Sequence, residues 1–357
     1  MSQNVTVPSS TNRVFYLDFL RIIASLSVIA VHVNGQNMSN VPYTSREWAV
    51  FNVYGGMVRW GVPIFTMISG TLFLSGNSPF RKILRKNVVH VICALVVWSL
   101  IYATASMLWK GSDVKTFILN VMKGYYHMWY LYMIIGLYLL VPFLRKIVDD
   151  EFLMKYYLLL MLIFAIIVPN VIEFSALRFK SLSKALNTVN TNLHMDFVKG
   201  YPFYFVLGFC LNRMQLTRKR VIASCVIGVL GFICTIWGNA AVVQKIGKQK
   251  DIYFYSTYTF NGIATSQCVF ILARAIFSNI KIHEGASRLI RFLANHTFGI
   301  YLSHALVLDT LKNNLSFTTL TLDPVISVPL ITLLVFCLSL GITIVIKRIP
   351  VLNKYIV

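Results

Sequence analysis

Residues 14–33 read VFYLDFLRIIASLSVIAVHV, an apolar run interrupted only by Asp18, Arg21 and His32 among its ionisable side chains. A helix needs ~20 residues to cross the ~30 Å hydrocarbon core of a bilayer, and this run has that length. No small-residue cleavage site follows it, so it is expected to be a retained first span and not a removed signal peptide. Nine further apolar runs follow, at approximately 50–74, 88–109, 128–148, 156–172, 197–211, 221–241, 257–277, 292–311 and 325–346. The run at 197–211 is the shortest and contains Pro202.

The pattern predicts an all-α polytopic membrane helix bundle of about ten spans. It is expected to be one domain over 1–357: a polar N-terminus at 1–12, the bundle at 14–346 and a tail at 347–357. Composition agrees, with 57% hydrophobic and 13% charged residues. Soluble domains carry roughly 45–50% apolar and ~25% charged residues. Aromatic residues at 14% exclude an intrinsically disordered chain.

Lys and Arg number 33 against 12 Asp and Glu. The basic residues sit in loops between apolar runs, which points to membrane topology and anionic lipid and away from nucleic acid. One set of loops carries Arg81/Lys82/Arg85/Lys86, Arg145/Lys146/Lys155, Arg213/Arg218/Lys219/Arg220, Lys281/Arg288/Arg291 and Lys347/Arg348/Lys354. This denser set is expected to face the cytoplasm, with both termini on that side. The loop 172–196 is the longest on the other side. The six cysteines form no CxxC pair and read as small buried hydrophobes.

Ionisable groups at the centre of a span cost ~2.5–3.5 kcal/mol each on insertion scales and persist where they are paired or functional. Eleven steps of ~100° place Arg21 and His32 on one helix face, about 16 Å apart along the axis. Asp18 lies one turn before Arg21, close enough to pair with it. That pair can be a folding element, and His32 can make a structural interhelical bond. The functional alternative makes His32 a general base, because imidazole titrates near neutral pH. Arg21 cannot be a base but can bind phosphate or steady a developing oxyanion.

At these residues the chain resembles the acyltransferase 3 family of integral-membrane, bacterial surface-carbohydrate O-acyltransferases. YLDFLR at 16–21, followed by ten residues and His32, is similar to the family's Arg–His signature. RWGVPIFTMISG at 59–70 is similar to its second-span block, and FRKILRK at 80–86 to the inner loop before the third span. HMWYL at 127–131, with Gly136 and Pro142, YFVLG at 204–208 and FGIYLSH at 298–304 follow in the family's order. Phe65-Thr66 and His304-Ala305 depart from the commoner Phe-Phe and His-Pro. The chain looks closest to small members that acetylate enterobacterial-type glycans without an appended esterase-like domain.

The resemblance implies an inner-membrane enzyme that takes an acetyl or other short acyl group from cytoplasmic acyl-CoA. The acceptor it implies is a hydroxyl of a surface polysaccharide or lipid-linked glycan. His32, Arg21 and Asp18 carry over as the catalytic group, with His32 as base or acyl carrier. Arg59, Arg81, Arg85, Lys86, Tyr301 and His304 are expected toward the donor, and His127 and Trp129 toward the acceptor. The simpler readings are positive-inside anchoring for the basic loop and an interfacial aromatic belt for Trp129. No tightly bound cofactor or metal is expected: HExxH, GxSxG and the phosphate-binding glycine loop are absent from the sequence. The competing class is a secondary transporter or flippase for a glycan or lipid, since intramembrane Arg and His also serve proton coupling.

Overall fold

The computed structural model of the chain describes residues 15–76, 78–176, 178–195, 198–247, 253–280 and 282–357. The polar segment 1–12 lies outside the described residues. Among the described residues the regular elements are all helical. In chain order they are α1 (Phe15–Gly35), α2 (Arg46–Met57), α3 (Gly61–Ser75), α4 (Phe80–Lys82), α5 (Val89–Lys110), α6 (Val114–Lys123), α7 (Trp129–Asp149) and α8 (Glu151–Met161). Then follow α9 (Val168–Ala176), α10 (Lys180–Asn192), α11 (Pro202–Arg213), α12 (Arg218–Ile246), α13 (Phe260–Asn279), α14 (Glu284–Leu315), α15 (Pro324–Lys347) and α16 (Pro350–Tyr355). One π-helical turn, Ile83–Val88, joins α4 to α5, and a second, Leu162–Ile167, joins α8 to α9.

Eight helical stretches among the described residues are long and apolar enough to cross a membrane. The expected count of about ten is therefore not reached on length and apolarity. The run at 197–211 becomes α11, which has 12 residues and opens on Pro202. Proline lacks an N–H and fits only the first helical turn, so the helix starts there. The run at 292–311 is part of α14, which extends to 32 residues and begins in a charged segment.

The apolar run 50–74 is also broken. α2 stops at Met57 and α3 restarts at Gly61, leaving Arg59 in the gap. Pro63 cannot donate to the preceding turn, which favours the restart. The Ser27 hydroxyl donates to the Val58 carbonyl at 2.6 Å and satisfies one of the freed backbone groups. A Cβ at Gly61 would sit 2.7 Å from the Ser27 hydroxyl oxygen, so only glycine lets α1 and α3 approach so closely here.

α3 packs on α11 through two reciprocal glycines. A Cβ on Gly70 would strike the backbone of Phe205, and one on Gly208 would strike that of Met67. Small residues bring helix backbones together in bilayers, where burial from lipid adds little hydrophobic drive.

Two ends of the bundle can be distinguished. At the first, Arg291 lies over the Phe15 ring at 5.3 Å, and Lys347 donates to the Asn295 carbonyl at 2.5 Å. Arg145 donates there to the carbonyls of Phe73 and Ser78 at 2.9 and 2.7 Å. We call this the basic face. At the opposite face Arg46 pairs with Asp323 at 2.6 Å, and Asn37 donates to the Thr319 hydroxyl at 2.9 Å. The cysteines are all free, and Cys234 and Cys337 lie exposed on the outside of the bundle, where the sequence suggested burial.

Candidate active site

His32 stands in the last turn of α1, near the opposite face. Its ring stacks on His304 from α14, with centroids 5.3 Å apart and planes inclined by 29°. His127, just before α7, meets His304 edge-on at 4.8 Å and His32 at 6.4 Å. Three imidazoles expected in three roles thus form one cluster. His127 and His304 are buried, at 2% and 0% exposure.

The cluster is held by backbone carbonyls and phenols. His304 Nδ1 lies 2.5 Å from the Tyr301 carbonyl oxygen. A carbonyl only accepts, so Nδ1 carries a proton. The Tyr301 hydroxyl donates to the His127 carbonyl at 2.5 Å. Tyr102 donates to the Leu302 carbonyl at 2.8 Å and accepts from the Leu306 N–H at 3.0 Å. Its phenol thus stands at an i, i+4 pair of α14 that brackets His304, the kind of insertion that opens a helical ladder locally.

His32 opens onto a cavity of about 1110 Å³. Arg59, Tyr126, Glu173, Lys199, Tyr255 and Asp309 share its lining, with the amides of Gln36, Asn170 and Asn190. Two cations, two carboxylates, several amides and aromatic faces suit a polyhydroxylated ligand. Arg59 reaches the cavity because the break between α2 and α3 frees it from a helix. Its guanidinium lies over the Tyr255 ring at 4.1 Å. Tyr255 in turn donates to Asn52 Oδ1 at 2.7 Å, and Asn239 donates to the same oxygen at 2.6 Å.

Asp18 and Arg21 pair as the spacing predicts, at 3.0 Å, with the Asp18 side chain 2% exposed. The Ser25 hydroxyl donates back to the Arg21 carbonyl at 2.9 Å. Arg21 lines neither this cavity nor the one at the basic face; Tyr138 is among its charge neighbours. The Tyr130 ring lies 5.4 Å from that of Tyr301.

The residues expected toward the donor divide. Arg81, Arg85 and Lys86 line a second cavity of about 820 Å³ at the basic face, with Lys82, His90, Asn353 and Tyr355. Arg59, Tyr301 and His304 belong instead with His32. Trp129 is 43% exposed and lies against Tyr201 at 5.6 Å, outside the His32 cavity. Asp309 is a cavity residue that the sequence motifs do not include; Tyr125 donates to it at 2.7 Å. Its signal was present, as the one carboxylate within the apolar run 292–311. Among the described residues no group of three or more His, Cys, Asp or Glu is arranged to hold a metal ion.

Membrane-length helices thus surround an interior in which three histidines meet, and the comparison with known families gives the chain its class. The family profile described as an acyltransferase domain matches residues 14–348, nearly the whole chain. The chain belongs to the acyltransferase 3 family and is an acyltransferase of the membrane. No curated protein and no solved structure matches it.

Proposed function

We propose that the protein moves an acetyl or other short acyl group from acyl-CoA to a hydroxyl of a surface polysaccharide or lipid-linked glycan. The observation that carries this reading is the His32 imidazole opening, beside Arg59, onto the cavity rich in amides, carboxylates and aromatic rings. The density of Lys and Arg favours the basic face as cytoplasmic, in a bacterial inner membrane, with both termini on that side. Acyl-CoA then enters by the basic cavity, its phosphates on Arg81, Arg85 and Lys86. The glycan occupies the larger cavity at the other face. The pantetheine arm then carries the thioester from the basic cavity toward His32 near the opposite face.

At His32 the acceptor O–H gives its proton to the imidazole as its oxygen attacks the thioester carbon. The Arg59 guanidinium stabilises the oxyanion, the C–S bond breaks, and the thiolate leaves with the proton as CoA thiol. A two-step route has the same balance: His32 takes the acyl group first and the alcohol then receives it. The packed bundle excludes water that would otherwise hydrolyse the thioester.

The test uses membranes carrying wild-type or His32→Ala protein and acetyl-CoA labelled in the acetyl group. Transfer of label to glycan in the wild type, lost in the variant at matched expression, supports the reading. Undiminished transfer in the variant removes His32 from the chemistry.

A further inference from the structure

The basic cavity has a wall that the sequence did not announce. α16 folds back beneath the bundle after α15, starting on Pro350. Its end is wedged into the helices. Ile356 is 8% exposed, and its carbonyl accepts the Trp98 indole N–H from α5 at 3.4 Å. Val357 occupies the space next to Gly299 of α14, where a Cβ would come within 2.5 Å of its methyl. This anchoring sets Asn353 and Tyr355 on the cavity lining, with the cations of Arg81, Lys82, Arg85 and Lys86.

The two sides offer different chemistry. Guanidinium and ammonium groups match phosphate oxygens, Arg in bidentate fashion. An exposed phenol presents a ring face, and a carboxamide presents a donor beside an acceptor. Purine bases are held by ring stacking, and Asn pairs bidentately with the amino and ring nitrogens of adenine. A volume of about 820 Å³ is large enough for a nucleotide.

We infer that α16 completes an adenine-nucleotide subsite, in which Tyr355 stacks on the purine and Asn353 bonds its edge while the basic turn holds the phosphates. The inference rests on the acyl-CoA reading above and adds the residues that recognise the nucleotide half of the donor. An anionic lipid headgroup would use the same cations but has no base for α16 to hold.

The experiment is calorimetric titration of coenzyme A into protein purified in a non-ionic detergent. Tyr355 is exposed, so its replacement leaves the packing of Ile356 in place. Tyr355→Ala is expected to weaken binding about tenfold, equivalent to about 1.4 kcal/mol. Tyr355→Phe keeps the ring and is expected to stay within about twofold of wild type. Asn353→Ala, which loses only the edge contact, is expected to fall about threefold. Wild-type affinity in both Tyr355→Ala and Asn353→Ala overturns the subsite and leaves the donor reading standing. Equal weakening by Tyr355→Ala and Tyr355→Phe also overturns it, because a stacking ring is kept in one and lost in the other. Absence of any coenzyme A binding to wild type, with Arg85-dependent binding to phosphatidylglycerol vesicles, overturns both.

Discussion

The imidazoles of His32 and His304 lie stacked 5.3 Å apart, and of the two it is His304 whose ring is pinned by a backbone carbonyl. His304 is therefore a fixed plate against which the His32 side chain, in the last turn of α1, is oriented. Aromatic pairs of this kind contribute ~0.5–1.5 kcal/mol. His304→Ala is expected to lower the rate of acyl transfer about tenfold with little change in KM for acyl-CoA. His304→Phe, which restores a ring, is expected to recover part of the loss. Initial rates of label transfer measure both. Equal inactivity of the two variants would mean that the imidazole nitrogen, and not the ring face, is required.

Much of this arrangement was legible in the residues themselves. The spacing of Asp18 and Arg21 predicted their pair, and the ordered motif blocks predicted the family. The gathering of His32, His127 and His304 was not legible, because it depends on how α1, α14 and the segment before α7 meet in space. The break at Arg59 left a local signal in Gly61 and Pro63, but the apolar run around it outweighed that signal. The division of the donor residues has the same origin as the histidine cluster. Tyr301 and His304 share a helix face, which says nothing about the bundle end they occupy.

The contact of α3 with α11 gives a prediction about stability. Alanine at Gly70 or Gly208 has to displace a neighbouring backbone. Overpacking of this kind costs about 1–3 kcal/mol or more. Gly136 in α7 has open space where an alanine methyl would stand, with nothing within 4 Å, so it serves as the control. Its replacement by alanine is expected to be neutral or to stabilise by up to about 1 kcal/mol, since glycine is a poor helix former. Unfolding curves in detergent for the three variants check the order.

A pH dependence follows from the ion pair at the opposite face. The hydrogen bond from Arg46, with the Val325 N–H adding to it, holds the Asp323 carboxyl below its ordinary value of 3.8. A depressed carboxylate contributes stability that is fully present above its unfolded value and is lost as pH falls through the folded one. Asp323→Asn retains an oxygen for the α15 cap and removes the charge. The wild type is expected to melt slightly higher than this variant at neutral pH. The difference is expected to shrink below about pH 4 and at high salt, as an exposed pair requires. A gap that persists in acid would assign it to the cap.

The support of Arg59 separates a structural contribution from a catalytic one. Tyr255 does two things: its hydroxyl ties Asn52 of α2 to the segment before α13, and its ring carries the Arg59 guanidinium at 4.1 Å. Tyr255→Phe removes the first and keeps the second. A buried hydrogen bond of this kind contributes about 1 kcal/mol, so this variant is expected to be less stable but to retain most of its transfer rate. Tyr255→Leu removes both, and a cation–π contact in a sheltered site is worth ~0.5–2 kcal/mol. Its transfer rate is expected to fall a further ~2–30-fold, by the conversion of 1.4 kcal/mol per tenfold. Arg59→Lys keeps the charge but loses the planar fork that can meet an oxyanion with two donors. It is expected to lower kcat more than it raises KM, because the oxyanion exists only at the transition state. Thermal unfolding and steady-state kinetics on the three variants together check the separation. A loss of rate in Tyr255→Phe as large as in Tyr255→Leu would place the hydroxyl, and not the ring, in control of Arg59.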